Sequence, residues 1–248
     1  MDNRKALLEI IRQLKLGSEE ERKIINRTFT VNKLTHLYLC DLKLSNLPVG
    51  LFDQLTSLEF LDLSRDQLSN LPAGLFDQLT SLKILNLSGN QLTTLTASLF
   101  DQLTSLERLI LYNNQLSTLT AGLFDRLTSL TNLFLHNNQL TTLTAGLFDR
   151  LTSLEWLDLY NNQLSTLPAG LFDQLTSLES LDLSNNDLKE LPVSIGVLSN
   201  LRRLNLLGNP LPGKLGRRKT EIRGHYTVQR LLLPYREKLT SLTDESDE

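Results

Sequence analysis

The chain has little of what disulfide-stapled, metal-dependent or catalytic proteins are built from. It holds a single cysteine, Cys40, in 248 residues, so no disulfide can form within it and a multi-thiolate metal site is excluded. A lone cysteine fits a reducing compartment, so the expected location is cytoplasmic, or the cytosol of a host cell after secretion, and not that of a disulfide-bonded extracellular protein. The three histidines, His36, His136 and His225, are scattered. His36 and Cys40 share one strand pattern four residues apart, about 13 Å at ~3.3 Å per residue, which one metal cannot bridge. No GxSxG, P-loop, HExxH or CxxC occurs, so no nucleophile, phosphate cradle or metal helix announces itself. Long apolar runs are missing as well, and Asp2 and Glu9 interrupt the first residues; neither a membrane span nor a signal peptide is expected. These gaps point away from an enzyme and from any cofactor. Aromatic residues are few, at 6%, which makes their placement informative.

What is abundant is leucine at fixed spacing. Residues 106–129 read LERLILYNNQLSTLTAGLFDRLTS and residues 130–153 read LTNLFLHNNQLTTLTAGLFDRLTS. The two differ at five positions, four of them within the first seven. Copies of this unit begin at Leu34, Leu58, Leu82, Leu106, Leu130, Leu154 and Leu178, with a partial eighth at Leu201. The first six have 24 residues and the seventh has 23, reading LPVSIGVLSN where its predecessor reads LPAGLFDQLTS. Within LxxLxL, a strand of period two turns the fourth and sixth residues inward and the third, fifth and seventh outward. Parallel strands from successive copies, about 4.8 Å apart, stack into one sheet on the inside of a curved coil.

Two ladders belong to the core of such a coil. Asn90, Asn114, Asn138, Asn162, Asn186 and Asn209 recur at the ninth position, where a side-chain amide can satisfy backbone groups leaving the strand. Leu42 and Asp66 occupy that place in the first two copies, so the first turn is expected to be less regular. Phe52, Phe76, Phe100, Phe124, Phe148 and Phe172 form an aromatic spine. Each is followed by an Asp, and one carboxylate per turn offers too few ligands for a calcium site.

The ends differ from the array. Leu7, Ile10, Ile11 and Leu14 are spaced as one helix face, with Gly17 as its stop, and residues 18–21 fit a capping box for a second short helix through Ile24 and Ile25. Residues 1–33 are therefore read as a helical N-terminal cap, and 34–213 as the repeats. Residues 214–238 are read as a helical C-terminal cap, its helix bent or stopped near Pro234, and 239–248 as a disordered acidic tail. Residues 201–238 carry ten Lys/Arg against two Glu, while residues 1–200 carry 15 basic and 22 acidic side chains.

The pattern LxxLxLxxNxLxxLPxGLFDxLTx resembles the leucine-rich repeat. That resemblance implies an α/β fold, a leucine-rich repeat solenoid with a curved parallel sheet on its concave face and helical caps at both ends. The LPxGLFDxLTxLxxLxLxxNQL framework is similar to the variable lymphocyte receptors of jawless vertebrates, antigen binders that vary at concave strand positions but carry disulfide-rich caps. The LPVSIGVLSNLRRLNLLGNPL segment and the caps resemble cytosolic leucine-rich repeat proteins, bacterial effectors among them. The resemblance implies a non-enzymatic module that binds a protein, such as an effector engaging a host signalling protein. Near-identical copies also fit an engineered or consensus scaffold with no native ligand.

The outward strand positions name a candidate surface: Tyr38, Phe60, Asp62, Ile84, Arg108, Ile110, Tyr112, Phe134, His136, Trp156, Asp158, Tyr160 and Asp182. The single Trp and three of the five Tyr fall there, and aromatic residues with Arg are the composition of interface centres. Three aspartates among them call for a partner with an apolar patch flanked by basic residues. A nucleic acid is not expected, and the protein is expected to be a monomer.

Overall fold

The structure, a computed structural model, describes residues 3–20, 24, 34–216 and 222–244. Eight short strands follow one another at the repeat interval: β1 (His36–Tyr38), β2 (Phe60–Asp62), β3 (Ile84–Asn86), β4 (Arg108–Ile110), β5 (Asn132–Phe134), β6 (Trp156–Asp158), β7 (Ser180–Asp182) and β8 (Arg203–Asn205). All eight pair in parallel and in sequence order. Register equals the repeat: Leu85 faces Leu109, Leu109 faces Leu133 and Leu133 faces Leu157. Any other register would place a polar residue among the inward leucines.

The inward leucines, such as Leu109, Leu111, Leu133 and Leu135, are fully buried. Opposite them the Phe spine is closed to solvent along its whole length. Its rings from Phe52 to Phe148 stack at 6.3 to 6.5 Å with nearly parallel planes. One continuous hydrophobic core runs from Leu7 to Leu232.

The asparagine ladder does what its position requires. Asn138 Oδ1 accepts the Leu116 N–H at 3.1 Å, and its Nδ2 donates to the Leu111 and Leu135 carbonyls, each at 3.0 Å. The residue before each ladder position turns left-handed, with Asn113, Asn137, Asn161 and Asn185 at φ near +50° and Gly208 at φ +73°. Asn and Gly are the residues that enter this region most easily. Gly208 has a second reason, since a Cβ there would stand 2.1 Å from Asn185 Oδ1. In the first turn both Asp41 and Lys43 are left-handed, which is the irregularity expected around Leu42.

Asp66 fills its ladder place only in part. Oδ1 accepts the N–H groups of Leu42 and Leu44 at 2.8 and 3.0 Å, while buried Oδ2 has no partner among the described residues. Burial raises its pKa to about 6 against backbone hydrogen bonds that pull it down. Because this pKa lies above that of the unfolded chain, the native state binds the extra proton between about pH 4 and 6, and stability declines as pH rises through that window. Asp66→Asn, which restores an Nδ2 donor and removes the charge, is expected to stabilise the protein at pH 7.5 by about 2 kcal/mol. Urea unfolding at several pH values checks this, and the gain should shrink toward pH 4.

The caps depart from the reading of the sequence in three places. Helix α1 (Asn3–Gln13) buries Leu7, Ile10 and Ile11 in the common core as expected. Its left-handed stop, however, is Lys15 at φ 53°, not Gly17, and the Leu16 N–H closes back on the Ile11 carbonyl. This is the Schellman arrangement, which ends a helix without requiring glycine. Residues 18–20 and Ile24 are helical, and Glu21 and Ile25 of the proposed second helix lie outside the described residues.

At the other end, the short helix α2 (Gly213–Gly216) is followed by β9 (Ile222–Arg223), which pairs antiparallel with β8 and covers the open sheet edge. The last helix, α3 (His225–Asp244), is not stopped by Pro234, and it continues past residue 238 into the stretch read as a disordered tail. Long-range contacts on both sides of the proline hold the helix in place. Arg236 Nε donates to the Gly196 carbonyl at 2.8 Å, and Gln229 Nε2 donates to the carbonyls of Leu198 and Leu201. The LPVSIGVLSN variation now has its reason. It forms a 3-10 helix at Val193–Val197 on which α3 lies, and Gly196 permits an approach where a Cβ would meet the Arg236 nitrogen at 2.9 Å.

Candidate functional site

Each strand is only three residues long, so its outward side chains project side by side from neighbouring turns at a spacing of ~4.8 Å. Every named candidate lies on this face, partly or well exposed: Arg108 is the exposed one, and the other twelve are half-buried by their neighbours. The structure gathers them into two groups.

The larger group spans β4 to β8. Tyr112 and His136 stack at 4.4 Å between ring centres with planes 10° apart, and His136 leans on Tyr160 at 6.4 Å. Phe134 meets the His136 edge at 6.4 Å and the Trp156 ring at 6.3 Å. Asp158 Oδ2 stands 2.9 Å from His136 Nδ1, while Asp158 Oδ1 accepts the Tyr160 N–H at 3.0 Å. Neighbouring Asp182 is held by the Ser184 N–H and hydroxyl and by Asn205 Nδ2. Both carboxylates are thus fixed beside an aromatic platform. The Trp156 indole N–H is buried in that platform without an acceptor among the described residues.

The smaller group lies at β1 and β2, where Phe60 contacts Tyr38 at 5.0 Å and His36 at 5.7 Å. Ile84 stands on β3 outside both aromatic groups. A polar recess of about 280 Å³, lined by residues including Cys40, Asp62, Ser64, Asn86, Ser88 and Tyr112, separates them.

Two further outward residues, not among the thirteen candidates, join the larger group. The Arg203 guanidinium sits 5.2 Å over the Trp156 ring, and Asn205 orients Asp182 at 2.8 Å. Both come from the partial eighth copy, at its third and fifth positions, where the same positional rule turns them outward. Ser64, Ser88, Ser180 and Ser184, also at outward positions, are buried by their larger neighbours and add nothing to the exposed surface.

The leucine rich repeat model matches residues 32–92, 82–140, 105–164, 128–188 and 160–211. The chain belongs to the leucine-rich repeat family. Among solved structures, it is similar to a leucine-rich repeat protein of Leptospira interrogans at 40% identity and a TM-score of 0.65, over 71% of this chain and 43% of that one. It is also similar to TLR13, solved in complex with ssRNA13, at 30% identity and a TM-score of 0.54, over 69% of this chain and 28% of that one. The chain thus spans less than half the length of either protein. No curated protein matches it. This repeat family generally mediates protein–protein interaction, and no described helix is long and apolar enough to cross a membrane.

Proposed function

We propose that this leucine-rich repeat chain is a non-enzymatic binding module that holds a partner protein on its concave sheet. One observation carries the reading. On a scaffold whose copies are otherwise nearly identical, the outward positions of β4 to β6 assemble a contiguous platform of Tyr112, Phe134, His136, Trp156 and Tyr160 with Asp158 at its side. Cross-strand packing alone does not require aromatic residues there, since Ile84, Asn86 and Ser88 serve the same positions on and beside β3.

The partner chemistry follows from the platform. Exposed aromatic faces favour an apolar patch, while Asp158, Asp182 and the flanking Glu107 and Glu155 favour basic residues around it. The same carboxylates speak against single-stranded RNA, the ligand in the TLR13 complex, because they would face its phosphates. Likeness to a bacterial leucine-rich repeat protein favours a natural microbial protein over a ligand-free scaffold, and the partner we propose for it is a host signalling protein engaged by an effector.

Trp156→Ala and Tyr112→Ala are each expected to weaken partner binding by about tenfold or more, as truncation of a central aromatic does. Circular dichroism should stay unchanged. Affinity capture with the wild type beside both variants, followed by titration of the retained protein, measures this. Arg150→Gln, on the opposite side of the coil, serves as the control and should bind as the wild type does. Equal affinity in both concave-face variants would remove the reading.

A further inference from the structure

We propose that the chain associates with a second copy of itself, head to tail, the outer face of α3 in one molecule lying in the concave sheet of the next. This rests on the reading that the concave sheet is the binding surface, and it names one partner for that surface.

The outer face of α3 has the chemistry that the concave sheet favours. Tyr226, Arg230, Leu233 and Glu237 follow one another at helical intervals of four, three and four residues, so they form one stripe. All four are exposed. Tyr226 is 78% accessible and Leu233 50%, and the two other exposed large hydrophobics among the described residues, Leu8 and Val49, belong to the opposite end of the coil. Val228 and Leu232, on the other side of the same helix, are buried in the core. The stripe is therefore not the packing face of the helix. Arg230 lies within the stripe and Arg223 just before its start, in a chain end whose residues 204–238 carry eight basic residues against two acidic ones.

The concave sheet offers the complement. Tyr112, Phe134 and Trp156 supply apolar area, and Asp158, Asp182, Glu107 and Glu155 supply negative charge. Spacing agrees as well. Tyr226 and Leu233 stand about 10.5 Å apart along the helix at ~1.5 Å per residue, and two strand spacings measure about 9.6 Å. A helix laid across the strands can therefore set its two apolar side chains against copies two turns apart, as Tyr112 and Tyr160 are.

The contact forms between molecules because α3 is tied down in its own chain. Arg236 and Gln229 anchor it to the Gly196, Leu198 and Leu201 carbonyls, which holds it at the end of the solenoid and away from its own platform. Since the two surfaces differ, the association is heterologous and can extend beyond a dimer. The monomer expected from the sequence is then the state at low concentration, and self-docking competes with any external partner for the same face.

Sedimentation velocity over a concentration series tests the proposal. For the wild type, the weight-average sedimentation coefficient should rise with concentration in low salt, and the association should weaken about tenfold or more in about 0.5 M salt. The double variant Tyr226→Ser/Leu233→Ser and the single variant Trp156→Ala should each remain monomeric. Mixing these two variants should restore a one-to-one dimer, because each keeps the surface that the other lacks. A wild type that stays monomeric throughout overturns the proposal, as does association that survives either variant, or a mixture that fails to pair. If Trp156→Ala loses an external partner while the wild type never self-associates, the concave-face reading stands and self-docking alone falls.

Discussion

Asn138→Leu is expected to destabilise the protein by about 3 kcal/mol, although the two side chains are similar in volume. Asn138 receives the Leu116 N–H on Oδ1 and feeds two strand-end carbonyls through Nδ2. Those carbonyls keep a second donor, since Asn114 reaches Leu111 and Asn162 reaches Leu135. The Leu116 N–H has no such reserve, so its unmatched burial dominates the loss. Leu42 shows why leucine is tolerated once at this place. As a member of the first copy it has no preceding turn of the array to serve, and its own N–H is taken up by Asp66. Denaturant unfolding measures the effect, and Asn138→Asp at neutral pH should fall between wild type and Leu, because it keeps the acceptor and loses the donor. A loss below about 1 kcal/mol for Asn138→Leu would show that the ladder is not a main source of stability.

Phe124→Ala is expected to cost about 4 kcal/mol, in the range for truncating a buried aromatic side chain. Phe124 is closed to solvent and stacks on Phe100 and Phe148 at 6.5 and 6.3 Å. In a solenoid each turn is stabilised almost wholly by its two neighbours. A cavity in the middle of the spine therefore weakens two interfaces at once, and unfolding should lose cooperativity as the halves on either side begin to melt separately. Phe124→Leu should cost less, about 1 to 2 kcal/mol, because it leaves a smaller void. Equal unfolding midpoints for Phe124→Ala and the wild type would contradict the stacked spine.

The array itself was legible because its rules are local and repeated. Period two divides Leu109 from Arg108 and Ile110, a constant 24-residue interval aligns the strands, and the ninth-position amide answers a need that each turn creates anew. Similar reasoning placed all the candidate residues on one face. It did not divide them. That Tyr112 stacks on His136 while Ile84 stands outside both aromatic groups depends on side-chain size and rotamer across several strands, which no single copy encodes. Arg203 and Asn205 hold the same outward positions in the eighth copy, and only the continuation of the sheet through that copy brings them against Trp156 and Asp182.

The ends were the least legible part, and the reason is physical. Lys15 closes α1 through backbone geometry that a search for glycine overlooks. The extension of α3 through Pro234 rests on anchors forty and thirty-one residues away, at Gly196 and Leu198. The pairing of β9 with β8 likewise joins residues with no sequence pattern in common. The sequence by itself determined the coil, its strand order, its core ladders and which side chains turn outward, because each follows from spacing within one repeat and the nearest neighbour. Tertiary structure alone decided how the caps close and which outward residues touch, because those outcomes depend on contacts between segments far apart in the chain.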